Sequence, residues 1–178
     1  MIIGIAGPKN SGKDTFADRF KLYIPCITRA FAEPVKRTCQ QLYLLSENQL
    51  YDREEKERID TRWGISPRQM FQQVGTNYIR NQIDPNFFLK HFEFWYREQP
   101  VGTNVIIPDV RFQNEVDLIH RLGGKVVYIY RPFLTSEDSH ESEVSATQLN
   151  RIDYTIENCG TLGQFYREID SFMARFEF

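Results

Sequence analysis

Apolar and polar positions fall in blocks along this chain, and the blocks differ in period. Ile2 to Ala6 is a short continuous apolar run, the mark of a strand buried on both faces. A glycine-containing stretch follows, and a helix is predicted from about Lys13 to Leu22. Pro25 breaks the chain, and Cys26 to Ala30 reads as a short strand. Pro34 suits a helix's first position, with Val35, Cys39, Leu42 and Leu45 along one apolar face. Ser46 to Asp60 is polar and helix-permissive, a solvated helix or surface loop. Ser66-Pro67-Arg68-Gln69 has the form of a capping box, and Met70, Phe71, Val74 and Tyr78 carry that helix onward. Asp84-Pro85 repeats the start signal before a stripe of Phe88, Phe92 and Trp95. Val105 to Ile107 predicts a second buried strand ending in Asp109. The next helix carries Val116, Ile119 and Leu122 and stops at Gly123-Gly124. Lys125 to Tyr130 is a third strand and Tyr154 to Ile156 a weaker fourth. A closing helix bears Leu162, Phe165, Ile169, Phe172, Met173 and Phe176. Continuous apolar strands separated by helices predict an α/β fold, a central parallel sheet with helices on both faces.

Composition adds bounds. At 178 residues the chain is about one domain long. Surface scaling gives about 9,000 Å² exposed when folded, so a sizeable core forms without disulfides or metals. Hydrophobic residues at 41% and charged residues at 26% exclude a disordered chain. With 22 basic against 24 acidic residues, the net charge of −2 shows no cation excess for wrapping a nucleic-acid polymer or coating a membrane. No apolar run approaches the ~20 residues of a spanning helix, and Met1 to Ala6 lacks the basic start of a signal peptide. Cys26, Cys39 and Cys159 are odd in number and form no CxxC, so they read as reduced, buried thiols of a cytoplasmic protein. Aromatic residues are abundant at 14%.

The strongest chemical signal is Gly7-Pro8-Lys9-Asn10-Ser11-Gly12-Lys13-Asp14, which fits G-x-x-x-x-G-K-[ST] except at its last position. A β-branched strand precedes it and an amphipathic helix follows, as a phosphate loop requires. Glycines let the backbone curl until several N–H groups point inward, and the helix N-terminus adds partial positive charge. Lys13 supplies a full charge where β- and γ-phosphates would lie. Asp14 stands where a Mg²⁺-binding hydroxyl is usual; a carboxylate can hold the ion directly or through water. Thr15 carries a hydroxyl but lies about 100° further round the helix.

Asp109 ends an apolar strand, and the carboxyl edge of a parallel sheet is where ligands bind, so it reads as a Mg²⁺-organising residue. Arg68, Arg80, Arg111 and Arg131 stand at helix turns and strand ends, where guanidinium forks suit phosphate oxygens, and Lys36 stands in a helix's first turn, where the dipole disfavours a cation. His91, His120 and His140 have no triad or metal-ligand spacing. An acceptor that is already an anion needs no general base; cations and positioning then carry catalysis.

Taken together these motifs resemble the phage-type deoxynucleoside monophosphate kinase family. The matching features are Ser11-Gly12-Lys13-Asp14-Thr15, Phe31-Ala32-Glu33-Pro34-Val35-Lys36, and Ser66-Pro67-Arg68-Gln69 with Gln72, Gly75 and Thr76. They continue with Pro108-Asp109-Val110-Arg111-Phe112, Asn114-Glu115, Arg131 with His140, Ser142 and Glu143, and Asp153-Tyr154 with Asn158. The resemblance runs from about Ile3 to Phe176 and is weakest from Leu45 to Trp63. It implies a P-loop kinase domain over 1–178, with a substrate-binding helical region at about 31–98 and a lid at about 131–147. It also implies transfer of the ATP γ-phosphoryl group to a deoxynucleoside 5′-monophosphate with Mg²⁺. Lys9, Asn10, Ser11, Gly12, Lys13, Asp14, Thr15 and Asn158 would bind ATP, with the Asp153-to-Asn158 stretch near adenine. Lys36, Arg68 and Arg111 would hold the acceptor phosphate, and Gln72, Gly75 and Thr76 would line the nucleoside pocket. Asp109 and Glu115 would complete its polar wall, and Phe88 would stack on the base. Lys13, Asp109, Arg111 and Arg131 would be catalytic, and Asp14 and Asp109 would hold the metal. Another phosphorylated acceptor, phosphomevalonate or dephospho-coenzyme A, or a nucleotide-driven switch or hydrolase, fits the same loop. Base preference and a homodimer stay open.

Overall fold

Five parallel strands form the sheet that the apolar runs predict: β1 (Ile2–Ala6), β2 (Ile27–Thr28), β3 (Val105–Val110), β4 (Lys125–Tyr130) and β5 (Tyr154–Glu157), in the order β2-β3-β1-β4-β5. The computed structural model describes residues 1–132, 140–141 and 145–176. Most of the expected lid, with Ser142 and Glu143, lies outside the described residues. The chain divides into two compact units, one of Met1–Ala30 with Arg97–Phe178 and one of Phe31–Tyr96.

The first unit holds the sheet. Its helices are α1 (Lys13–Lys21) on one face with the C-terminal helix, and a helix after β3 on the other. Side chains alternate along β1: Ile3 and Ile5 join a core with Phe16, Phe20, Phe165, Ile169 and Phe172, whereas a Cβ on Gly4 would meet Ile119 at 2.5 Å. Phe16, Phe20 and Phe172 pack ring against ring with centroids 5.8–5.9 Å apart. Burying one such Phe contributes about 1.5–3 kcal/mol. Much of the aromatic surplus is therefore core. The register between β1 and β3 slips between Gly4 and Ala6, which pair with Ile107 and Val110. Pro108 and Asp109 occupy that bulge, as suits a residue with no N–H to give the ladder. The strand thus runs on through Asp109 to Val110 instead of ending at the carboxylate.

The second unit is helical: α2 (Glu33–Tyr43), α3 (Glu47–Tyr51), α4 (Pro67–Phe71) continued by a π-helical segment (Gln72–Ile83), and α5 (Phe87–Arg97). Ser66 caps α4 through the expected serine–glutamine exchange with Gln69, and Ser46 caps α3 in the same way with Gln49, in a stretch whose polar pattern alone allows helix or loop. The π-helical hydrogen-bond step of five changes which residues face inward. Met70, Gly75 and Arg80 are buried at that spacing, while Tyr78 is 55% exposed and Phe71 and Val74 only half-buried. Val35 and Cys39 lie in the core of this unit, whereas Leu42 faces outward.

Among the described residues the first unit also holds α6 (Gln113–Arg121) and α7 (Leu162–Arg175). Leu162 is exposed, but Phe165, Ile169, Phe172, Met173 and the following Phe176 are buried as the stripe predicts. Among the described residues no helix is long and apolar enough to cross a membrane. All three cysteines are free, but only Cys39 is buried; Cys26 is half-buried and Cys159 exposed, which corrects the expectation of three buried thiols.

Candidate functional site

β1 lies between β3 and β4, so the chain departs to opposite sides from one strand, and the crevice beyond the carboxyl ends is a ligand-binding position. The segment Gly7 to Gly12 turns there into α1. Gly7 (φ 134°) sits so close to β4 that a Cβ would meet the Ile129 carbonyl oxygen at 2.7 Å. Gly12 (φ 108°) caps the helix, and a Cβ there would meet Asn158 Nδ2 at 2.6 Å and Phe165 at 2.9 Å. Both positions combine a positive φ with close approach, a demand only glycine meets. Asn10 also has a positive φ of 66°, which asparagine tolerates better than most residues.

Lys13 Nζ donates to the carbonyls of Gly7 and Pro8, both at 2.7 Å. The ammonium is folded onto its own loop. The Ser11 amide donates to the Pro8 carbonyl at 3.2 Å, and the Ser11 hydroxyl is fully buried with no hydrogen-bond partner among the described residues. Arg131, one residue past β4, donates to the Asn10 carbonyl at 2.9 Å, and Asn158, one residue past β5, donates to the Ser11 carbonyl at 2.8 Å. Lys9 and Thr15 are half-buried and Asp14 is exposed in the first helical turn, where its charge is favoured by the helix dipole. The structure thus gathers Asn10, Ser11, Gly12, Lys13, Arg131 and Asn158 at one loop.

On neighbouring β3, Asp109 is half-buried in the bulge, and Arg111 follows the strand, also half-buried. Glu115 is only 2% exposed; its carboxylate accepts from the amides of Arg111 at 2.7 Å and Phe112 at 3.1 Å, fixing the start of α6. Asp153 lies at the opposite end of β5 from Asn158. It accepts from the Val126 amide at 2.8 Å and from Lys125 at 3.0 Å, and pairs with His120 at 2.7 Å. Burial pushes its carboxyl up, but those three hydrogen bonds outweigh it and hold the group below the usual carboxylate range. Only the Asn158 end of that stretch therefore belongs to the loop. The donor set suits Mg²⁺, which is usually held through one or two carboxylates, waters and substrate phosphates. Asp14 and Asp109 are carboxylates of that kind, one at the loop and one near the end of β3.

In the helical unit, Lys36 lies over the Tyr51 ring at 5.0 Å, and Tyr51 donates its hydroxyl to Glu33 at 2.6 Å. Burial, and then Glu33, push that phenol up to about 12. Arg68 occupies the first turn of α4, where the dipole opposes a cation; Glu57 at 3.6 Å offsets this, and the Arg68 amide donates to the Lys56 carbonyl at 3.0 Å. Gln72 is half-buried, whereas Gly75 and Thr76 are buried, and a Cβ on Gly75 would press on Val35 at 3.2 Å. Phe88 is 5% exposed and lies 6.0 Å from the Arg80 guanidinium, which also donates to the Pro85 carbonyl at 3.2 Å. Sequence reasoning missed Tyr51 and Glu57, because partners 15 and 11 residues away leave no local pattern.

Comparison with known proteins gives this geometry a context. Residues 47–169 match the family described as deoxynucleotide monophosphate kinase. The match takes in most of the segment from Leu45 to Trp63, where the resemblance is weakest by motif. A homologue of Acanthamoeba polyphaga mimivirus, named as a deoxynucleotide monophosphate kinase, is 40% identical over 96% of this chain and 95% of its own length. The deoxynucleotide monophosphate kinase of Enterobacteria phage T4 is 29% identical over 62% of this chain, which spans only 46% of the phage protein. Shikimate kinase from Aquifex aeolicus has the same fold, with a TM-score of 0.55 at 15% identity over 98% of this chain and 96% of its own.

Proposed function

This chain belongs to the deoxynucleotide monophosphate kinase family, and we propose that it transfers the γ-phosphoryl group of ATP to a deoxynucleoside 5′-monophosphate. An oxygen of the acceptor phosphate bonds to the γ-phosphorus, the bond to the β–γ bridging oxygen breaks, and ADP leaves. The observation that carries the reading is the cradle at the start of α1, with two positive-φ glycines and a lysine ammonium resting on backbone carbonyls. When a triphosphate enters, Lys13 exchanges two neutral acceptors for anionic oxygens, a gain in hydrogen-bond strength. Loop amides of Lys9 to Thr15 face the β- and γ-phosphates, and Arg111 and Arg131 offset charge on the transferring group. Asp14 and Asp109 would hold Mg²⁺, which when bound neutralises phosphate charge.

In the helical unit, Lys36 and Arg68 bind the acceptor phosphate, and Gln72, Gly75, Thr76 and Phe88 shape the space for its nucleoside. In the first unit, Glu115 acts through the backbone it caps. The acceptor is an anion at neutral pH and needs no base to remove a proton. Three free thiols accord with a reducing cytoplasm. The test is a panel of eight nucleoside monophosphates, ribo and deoxy, incubated with ATP and Mg²⁺. ADP and a deoxynucleoside diphosphate should form together, in equal amounts. ATP turnover at the same rate without any acceptor, or no turnover with any of the eight, would overturn the assignment.

A further inference from the structure

We infer that Asn158 is a positioning residue of the phosphate loop, holding its backbone in the anion-cradling shape instead of reading the adenine. The inference rests on the proposal that this loop grips a triphosphate. A loop that points its amides inward must point carbonyls outward, and each outward carbonyl that is buried needs a donor. Lys13 serves Gly7 and Pro8, Arg131 serves Asn10, and Asn158 serves Ser11. These three differ in permanence. Lys13 gives up its carbonyls when phosphate arrives, and Arg131 is an exposed side chain. Asn158 is 8% exposed, and its bond to Ser11 is buried.

The mounting is rigid as well. The Asn158 amide donates to the Tyr130 carbonyl at 2.7 Å, which continues the β4–β5 ladder one residue past β5. Its side chain is therefore anchored to the sheet and not to a free loop. The Nδ2 atom lies so close to Gly12 that any Cβ there would displace it, so the amide also packs on the residue that starts α1. A neutral amide suits the role. Only its NH₂ end can bond a carbonyl, and a carboxylate in that place would face the Ser11 oxygen with like charge.

The experiment compares wild type, Asn158→Ala and the equal-sized Asn158→Asp for binding of ATP and of inorganic tripolyphosphate, each with Mg²⁺, by titration calorimetry. Acceptor KM and thermal unfolding are measured alongside. A loop-positioning role predicts that ATP and tripolyphosphate weaken together, by about tenfold, with acceptor KM unchanged. Weaker ATP binding with tripolyphosphate unaffected would assign Asn158 to the adenine and overturn the inference. A lower unfolding temperature with both affinities intact would overturn it too, by making the residue merely structural. Should Asn158→Ala fail to fold, the Asn158→Asp ratio of the two affinities decides. Lys13→Ala separates the underlying reading: if it binds both ligands as tightly as wild type, the loop is not the triphosphate site and the inference falls with it.

Discussion

Lys13 donates to two carbonyls of its own loop, at 2.7 Å each. Such a partner is easily exchanged for phosphate, because charge-assisted bonds to anions are roughly twice as strong as those to neutral acceptors. Lys13→Ala should therefore lower kcat/KM by at least about a hundredfold, the scale seen when one transition-state donor is removed. Its fold should persist, with an unchanged circular dichroism spectrum; a coupled assay of ADP release checks the rate. The lysine, its glycines and Asp109 were legible because their chemistry comes with local spacing and a flanking strand or helix. The backbone bonds of Glu115 and Asn158 were not. Each works through a backbone atom, one on two amides and the other on the Ser11 carbonyl, and backbone atoms leave no signature in side-chain identity.

Elements join through a few side chains whose charge makes their contribution depend on pH. Arg19 of α1 grips Asp170 of α7 with two parallel bonds of 2.8 and 2.7 Å, and Tyr23 adds a third at 2.7 Å. Arg19 first, then Tyr23, hold the Asp170 carboxyl down at about 2. A depressed carboxylate stabilises the fold fully above its unfolded value of about 3.9 and loses that contribution as pH falls toward about 2. Asp170→Asn should thus lower the urea midpoint at pH 7, and the gap from wild type should close between about pH 4 and pH 2. Equal gaps at pH 7 and pH 2 would show that the clamp is not electrostatic. In the helical unit, Ser66→Ala removes the cap of α4 and should cost about 1 kcal/mol in a urea titration. The cap was readable from four consecutive residues. The π-helical run after it was not, because Met70, Phe71, Val74 and Tyr78 read as an ordinary helix, whereas past Met70 the buried positions fall at Gly75 and Arg80. What decides the matter is tertiary: Gly75 meets Val35 of α2, a contact between distant residues that propensity cannot encode.

At the scale of the molecule, each compact unit has its own core. One is built on Ile3, Ile5, Phe16 and Phe172, the other on residues such as Phe31, Val35 and Phe92. The phosphate loop belongs wholly to the first unit, whereas Lys36 and Arg68 belong wholly to the second. If donor and acceptor are anchored by separately folded units, damage to one set of anchors should leave the other ligand's binding intact. Arg68→Ala is the sharper test, because Arg68 is largely shielded and pairs at 3.6 Å with Glu57, whose side chain is 42% exposed. Loss of a charge-assisted bond to phosphate amounts to about 1.5–3 kcal/mol, so the acceptor KM should rise, or kcat fall, by roughly 10- to 150-fold. ATP affinity measured without acceptor should stay within about twofold of wild type. Lys13→Ala should show the reverse pattern, weak ATP binding with deoxynucleotide binding preserved. Equilibrium titration of each variant with each nucleotide separates the two. An Arg68→Ala protein that lost both affinities together would mean that the units do not bind independently, and the assignment of Arg68 to the acceptor would fail.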